Sequence, residues 1–142
     1  LLHTDISRSS AKIIDNQIAN VAEKKPIALE SMHQLKHAAL QMKEALLRGN
    51  IDTFVKYLNA SWENKKQSAH SISNPHINET IELAKKAGAL GAKISGAGGG
   101  GFIMYFIPPE KRNNVIEAIK HTGGWLSNCH FSSEGSQCWT IR

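Results

Sequence analysis

The sequence predicts a single α+β domain with helices packed on a mainly antiparallel sheet. Three observations carry the prediction. Three successive segments of the first half repeat apolar residues at helical spacing. The second half instead carries short apolar runs punctuated by glycine and proline, in the order strand, loop, strand, helix, strands. At 142 residues, 41% of them hydrophobic and 20% charged, the chain suits one domain over residues 1–142. A domain of that size buries roughly 70% of its unfolded surface and needs no staples.

Taken in order, Ile14, Ile18 and Val21 mark the inward stripe of a first helix, opened by Ser7, Arg8, Ser9 and Ser10. Pro26 ends that segment or opens the next. Met32, Leu35, Ala39, Met42 and Leu46 then predict the buried stripe of a second helix, stopped at Gly49. Asn50 is suited to capping a third, which carries Ile51, Phe54, Val55, Leu58 and Trp62. Asn74-Pro75 and Gly88 bracket a fourth, with Ile77, Ile81 and Ala84 inward. Ala92 to Ser95 and Phe102 to Ile107 read as strands, the second halted by Pro108-Pro109. Glu110 to His121 is amphipathic through Val115, Ile116 and Ile119. A closing hairpin is expected, with strands at Leu126 to Ser132 and Ser136 to Ile141 joined by Ser133-Glu134-Gly135.

Composition narrows the function classes. The longest apolar run, Phe102 to Ile107, falls far short of the roughly 20 residues of a membrane helix. Cys129 and Cys138 are too few for a disulfide framework, so reduced, packed thiols in a cytoplasmic protein are expected, without a disulfide. The formal net charge of +5 favours anionic partners, yet the lysines are scattered rather than gathered in a basic arm. A nucleic-acid module would interleave aromatics with basic residues on a sheet face, which Tyr105 and Phe106 alone do not supply. His33 and His37 are spaced i, i+4, but they lie opposite the apolar stripe without a further ligand, so no metal site is expected. The chain opens on Leu1-Leu2-His3-Thr4, without methionine, and reads as part of a longer polypeptide.

The segment Lys93-Ile94-Ser95-Gly96-Ala97-Gly98-Gly99-Gly100-Gly101 is the most informative. Glycine runs lose much backbone entropy on folding and pack no side chains, so they mark close backbone approach or positive φ. Amides released from a ladder can form an anion nest. Glycines 96, 98 and 101 satisfy G-x-G-x-x-G, but the dinucleotide fingerprint requires a helix to follow, and a strand follows here. A Walker loop fails as well, because Phe102 stands where Lys would. The plainer reading is a glycine-rich hairpin loop.

K-I-S-G-A-G-G-G-G-F between two strands resembles the third motif of the GHMP kinases, the galactokinase, homoserine kinase, mevalonate kinase and phosphomevalonate kinase superfamily. Within it, Ile6-Ser7-Arg8-Ser9-Ser10, Leu58 to Trp62 with Lys65-Lys66, Ile72 to Pro75 and the Phe131 to Trp139 stretch resemble the D-glycero-D-manno-heptose 7-phosphate kinases. The resemblance covers nearly the whole chain. It implies the ferredoxin-like C-terminal domain of a two-domain kinase that moves phosphate from ATP, with Mg²⁺, to the anomeric hydroxyl of a sugar phosphate. The N-terminal domain of such enzymes holds the main ATP loop and usually the catalytic acidic residue. No catalytic residue is therefore expected here, and the chain alone should be inactive.

By the matching positions, Gly96, Ala97, Gly98, Gly99, Gly100 and Gly101 would lie against phosphates. Ser7, Arg8 and Ser10, at a helix N-terminus, would meet substrate, although ordinary capping by Asp5 or Ser7 explains those residue types equally. Lys65 lies on the Phe54–Leu58–Trp62 stripe, where a lysine either snorkels or reaches into a cleft toward a substrate phosphate. Lys93 beside the loop poses the same choice, whereas Trp62 reads as core. The heptose kinases usually carry glycine where Asp5 stands. Two other functions stay open: a GHMP kinase for another acceptor, such as another sugar or a mevalonate-type alcohol, and a stand-alone module binding a phosphorylated metabolite.

Overall fold

The computed structural model describes residues 1–6 and 9–140. Five α-helices and a four-stranded antiparallel sheet make up this α+β architecture. The elements are β1 (Leu2–His3), α1 (Ser10–Ala22), α2 (Pro26–Leu47), α3 (Ile51–Ser68), α4 (Pro75–Lys86), β2 (Gly91–Ile94), β3 (Phe102–Phe106), α5 (Arg112–Ile119) and β4 (Trp125–Leu126). The strand order is β2-β3-β1-β4, so the first strand of the chain lies inside the sheet. Leu2 is paired with Ile103 on one side and Leu126 on the other.

Local chemistry sets several boundaries. The Asn50 and Asn74 side chains accept from the amides of Thr53 (3.0 Å) and Ile77 (2.9 Å), each satisfying a free donor of the first turn. Pro26 and Pro75 occupy first-turn positions, where their missing N–H costs nothing. Gly49 and Gly88 follow the ends of α2 and α4 with φ of 66° and 116°.

The sheet alternates its side chains between two faces. Leu2, Ala92, Ile94 and Ile103 face α4 and α5 and form the core with Ile77, Ile81, Ala84, Val115 and Ile119. Trp62 on α3 and Ile72 join the same cluster, in keeping with the core reading of Trp62. On the opposite face α3 lies so close to β2 that a Cβ on Gly91 would stand 3.1 Å from a Leu58 methyl. Phe54 reaches over to Phe106 there, with ring centroids 5.8 Å apart. Beyond α3 that face carries His3, Phe102 and Trp125 in mutual aromatic contact.

Several expectations need correction. The stripe of α1 is turned by one residue: Ile13 is buried, while Ile14 and Ile18 are exposed. Gln17 and Asn20 explain this, since their side chains donate to the hydroxyl and carbonyl of Ser68 and fasten that flank of α1 to α3. In α2 the buried positions are Ala28, Ser31, Ala38 and Ala45, not the larger Met42 and Leu46, because small residues let α2 lie close along α3. Ser9 holds the N-cap position of α1, and its side chain makes no capping bond. A 3₁₀ turn over Pro109–Lys111 precedes α5, which ends at Ile119 rather than His121.

The closing hairpin does not form. Among the described residues of that segment, Trp125–Leu126 pairs with the sheet and the Ser127 amide donates to the Leu1 carbonyl (3.0 Å), while residues 127–140 carry no regular secondary structure. Cys129, Cys138, Phe131 and Trp139 are exposed, so the expected packing of the thiols is overturned; both cysteines are free. Ile141, placed in the last expected strand, lies outside the described residues, as do Ser7 and Arg8.

Candidate functional site

The loop between β2 and β3 is gripped from three sides. The Ser95 amide donates to the Phe102 carbonyl (2.8 Å) and closes its base. On one flank the Gly99 amide donates to the Ile72 carbonyl (2.7 Å), and on the other the Gly101 amide donates to that of Ile6 (3.1 Å). The Thr4 amide in turn donates to the Gly101 carbonyl (2.8 Å). These contacts explain two of the glycines by close approach. A Cβ on Gly100 would stand 2.2 Å from the Ile6 carbonyl oxygen, and one on Gly98 would stand 2.9 Å from that of Ile72. Gly96 and Gly101 are different: their surroundings are open, and their φ values of 76° and 85° are the reason for glycine.

Packing therefore consumes part of the donor set that a nest would offer. Among the described residues, the amides of Gly96, Ala97, Gly98 and Gly100 meet no backbone acceptor. A hollow of about 360 Å³ opens beside them, lined by the loop, by His3 and Phe102, and by Ile6 and Ser10. It brings together loop amides, a serine hydroxyl in the first turn of α1 and two aromatic rings. That mixture suits a polar, anionic small molecule with some apolar surface.

Two lysines complete the surroundings. The Lys65 ammonium donates to the Gly96 carbonyl, so this side chain reaches the loop rather than open solvent. Lys93 stands at the base of the loop, close enough for the two ammonium groups to repel. Burial first and the Lys93 charge second hold the Lys65 ammonium below the ordinary lysine range; burial does the same to Lys93. Among the described residues, neither lysine has a carboxylate within ion-pairing distance. Lys66 does, bridging Glu63 at 2.8 Å while lying over the Trp62 ring.

The structure thus brings Gly96, Ala97, Gly98, Gly99, Gly100, Gly101, Ser10, Lys65 and Lys93 to one end of the sheet; Ser7 and Arg8 are not described. His33 and His37 are exposed on α2, away from it. No group of three or more His, Cys, Asp or Glu able to hold a metal occurs among the described residues. Sequence reasoning missed the Ile6 and Ile72 carbonyls that dictate two glycines, and His3 and Phe102 as walls of the hollow. The two bulky residues flanking short polar runs were visible, but nothing local showed that their backbones meet the loop.

Comparison with known proteins agrees with this architecture. A family model described as GHMP kinases C terminal matches residues 42–124. The D-glycero-alpha-D-manno-heptose 7-phosphate kinase of Campylobacter jejuni is 36% identical over 141 residues, which is 99% of this chain and 41% of that protein. The mevalonate kinase of Thermococcus sibiricus is 45% identical over 67 residues, 47% of this chain and 20% of that protein. In fold, the chain is similar to L. major mevalonate kinase, crystallised with R-mevalonate, with a TM-score of 0.73 at 24% identity. That likeness covers 84% of this chain and 36% of the other, so the chain spans well under half of these relatives. With a family model covering more than half of its length and kinases as relatives, this chain belongs to the GHMP kinases, by their C-terminal domain.

Proposed function

We propose that this chain is the C-terminal domain of an ATP-dependent sugar kinase whose acceptor is the anomeric hydroxyl of D-glycero-D-manno-heptose 7-phosphate or a similar sugar phosphate. The observation that carries this reading is a 36% identity with a heptose 7-phosphate kinase that extends over 99% of the chain rather than over the glycine loop alone. The Gly96 to Gly101 loop lies against the transferred or bound phosphate, its Gly96, Ala97, Gly98 and Gly100 amides donating while Gly99 and Gly101 hold the loop in place, and Ser10, Lys65 and Lys93 supply donors and positive charge around it. Ser7 and Arg8 extend that set toward the sugar. Phosphoryl transfer depends on positioning and charge stabilisation more than on covalent chemistry from the protein, so a rigid backbone cradle is a fitting contribution.

The remaining parts come from an N-terminal domain of the same polypeptide, which binds ATP and supplies the catalytic acidic residue in a cytoplasmic enzyme. Mg²⁺ accompanies ATP, and the described residues of this chain offer no cluster of His, Cys, Asp or Glu for it. The isolated chain is accordingly inactive. A second reading, a mevalonate-type acceptor, draws on the 45% identity with an archaeal mevalonate kinase, limited to 47% of the chain.

The test is ADP release by the full-length gene product with Mg·ATP and a panel of sugar phosphates plus mevalonate, with the product's phosphate located by ³¹P NMR. Selective turnover of heptose 7-phosphate to an anomeric phosphate is the expected result. Turnover of mevalonate alone moves the assignment to the second reading. A folded protein that turns over nothing leaves a phosphometabolite-binding module.

A further inference from the structure

Beside the glycine loop, and distinct from the hollow that holds its amides, a second and larger cleft of about 700 Å³ opens between α2, α3 and the sheet. Its walls are Met42, Leu46 and Leu47 of α2, Phe54 of α3 and Met104 of β3. One end is polar, formed by Lys93, Ser95 and Gly96. The cleft exists because α2 turns its small residues Ala38 and Ala45 toward α3 and leaves its larger apolar side chains outward. Leu46 and Leu47 are 54% and 73% exposed.

From this geometry we infer that the cleft binds a small amphiphilic anion, an apolar chain lying along Met42, Leu46 and Met104 with a phosphate or carboxylate head against Lys93 and the Ser95-Gly96 backbone. The volume lies in the range of small-molecule sites, roughly 300–1,000 Å³. The cores of protein interfaces are depleted in charge. Here a half-buried lysine stands in the wall, without a carboxylate in ion-pairing distance among the described residues. Lys43 of α2, exposed and likewise without an ion pair among the described residues, also lines the cleft, so apolar walls with uncompensated positive charge match an apolar body with an anionic end. A bare sugar phosphate would leave the apolar walls wet. The inference rests on the proposed anion-binding role of the loop rim, and it assigns that rim a second class of ligand.

The three methionines make the test direct. Met42 and Met104 line the cleft, whereas Met32 lies in a separate apolar groove against α1. With the chain labelled at the methionine methyls and at backbone nitrogen, n-octyl phosphate is titrated below its micelle concentration, alongside n-octanol, octanoate and inorganic phosphate. A buried methylene is worth roughly a fourfold change in affinity. Octyl phosphate should therefore shift the Met42 and Met104 methyls, spare Met32, and bind at least tenfold more tightly than inorganic phosphate. Leu46→Asp should remove at least that factor, and Lys93→Gln should weaken octyl phosphate several-fold while leaving octanol unaffected. Octanoate against octyl phosphate tells a carboxylate head from a phosphate one.

Equal shifts at Met32, octanol binding as tight as octyl phosphate, or an unaffected Leu46→Asp variant would each overturn the inference. So would Met42 and Met104 signals that move with protein concentration alone, which would assign the cleft to a second copy of the chain. Inorganic phosphate that leaves the Gly96 amide unmoved while octyl phosphate shifts Met42 counts against the loop reading and leaves the cleft standing.

Discussion

Asp5 takes a φ of 55°, a left-handed conformation that costs a side-chain-bearing residue but that aspartate tolerates better than most. A glycine at this position would carry no such cost. Asp5→Gly is expected to hold stability level or raise it by up to about 1 kcal/mol in urea denaturation. The loop glycines separate in the same assay. Gly96→Ala meets only its left-handed φ and should cost about 1–2 kcal/mol. Gly100→Ala also drives a methyl into the Ile6 carbonyl and should cost clearly more. The two lysines give a pH signature. Burial makes them shed protons below the ordinary lysine range, so affinity for sulfate, whose charge is constant, should fall with alkaline pH earlier than for an exposed lysine. Stability moves the other way. The unfolded chain holds these protons to higher pH than the folded one, so their contribution rises with pH across the interval between the two values.

At the scale of elements, α3 does more than cover the sheet. The Asn59 side chain donates to the Leu90 carbonyl (2.8 Å) and accepts from the Ala92 amide (3.4 Å), occupying backbone groups at the free edge of β2. Asn59→Ala should cost about 1–2 kcal/mol and speed amide exchange at Ala92, a pairing that hydrogen exchange reads directly. Capping and punctuation were legible in advance: Asn50, Asn74, Gly49 and Gly88 act through neighbours within a few residues, so spacing alone locates them. The buried faces of α1 and α2 were not. A sequence shows where apolar residues recur, but Gln17 and Asn20 turn inward to reach Ser68 on another helix, and Ala38 and Ala45 are chosen for closeness. The same limit applied at the site. The glycine run and Lys65 announced themselves by composition and position, whereas the Ile6 and Ile72 carbonyls act across the fold.

Over the whole molecule, the core lies between the sheet and α4 and α5, and no helix among the described residues is long and apolar enough to cross a membrane. The segment from Asn128 to Thr140 contributes nothing to that core, since all of its residues are exposed. Deleting the chain from Asn128 onward should leave the thermal midpoint within about 2 °C, a check by differential scanning calorimetry. Phe131 and Trp139, the large apolar residues of the expected hairpin, both stand far out in solvent. By contrast β1, only two residues long and too short to show alternation, is inside the sheet because its partners lie on both sides.

That placement of β1 bears on the order of events as the chain matures. A ribosome delivers Leu2 and His3 well before their partners Phe102, Ile103, Trp125 and Leu126. The helices α1 to α4 can form from neighbours in sequence while the opening strand waits with its backbone groups unpaired. Joining such distant segments carries a loop-closure cost that local helix formation does not, and it slows folding. Leu2 and His3, made well ahead of their partners, are thus among the last residues of this domain to find their place, and the glycine loop, tied to the same segment through Thr4 and Ile6, takes its final shape only when they do.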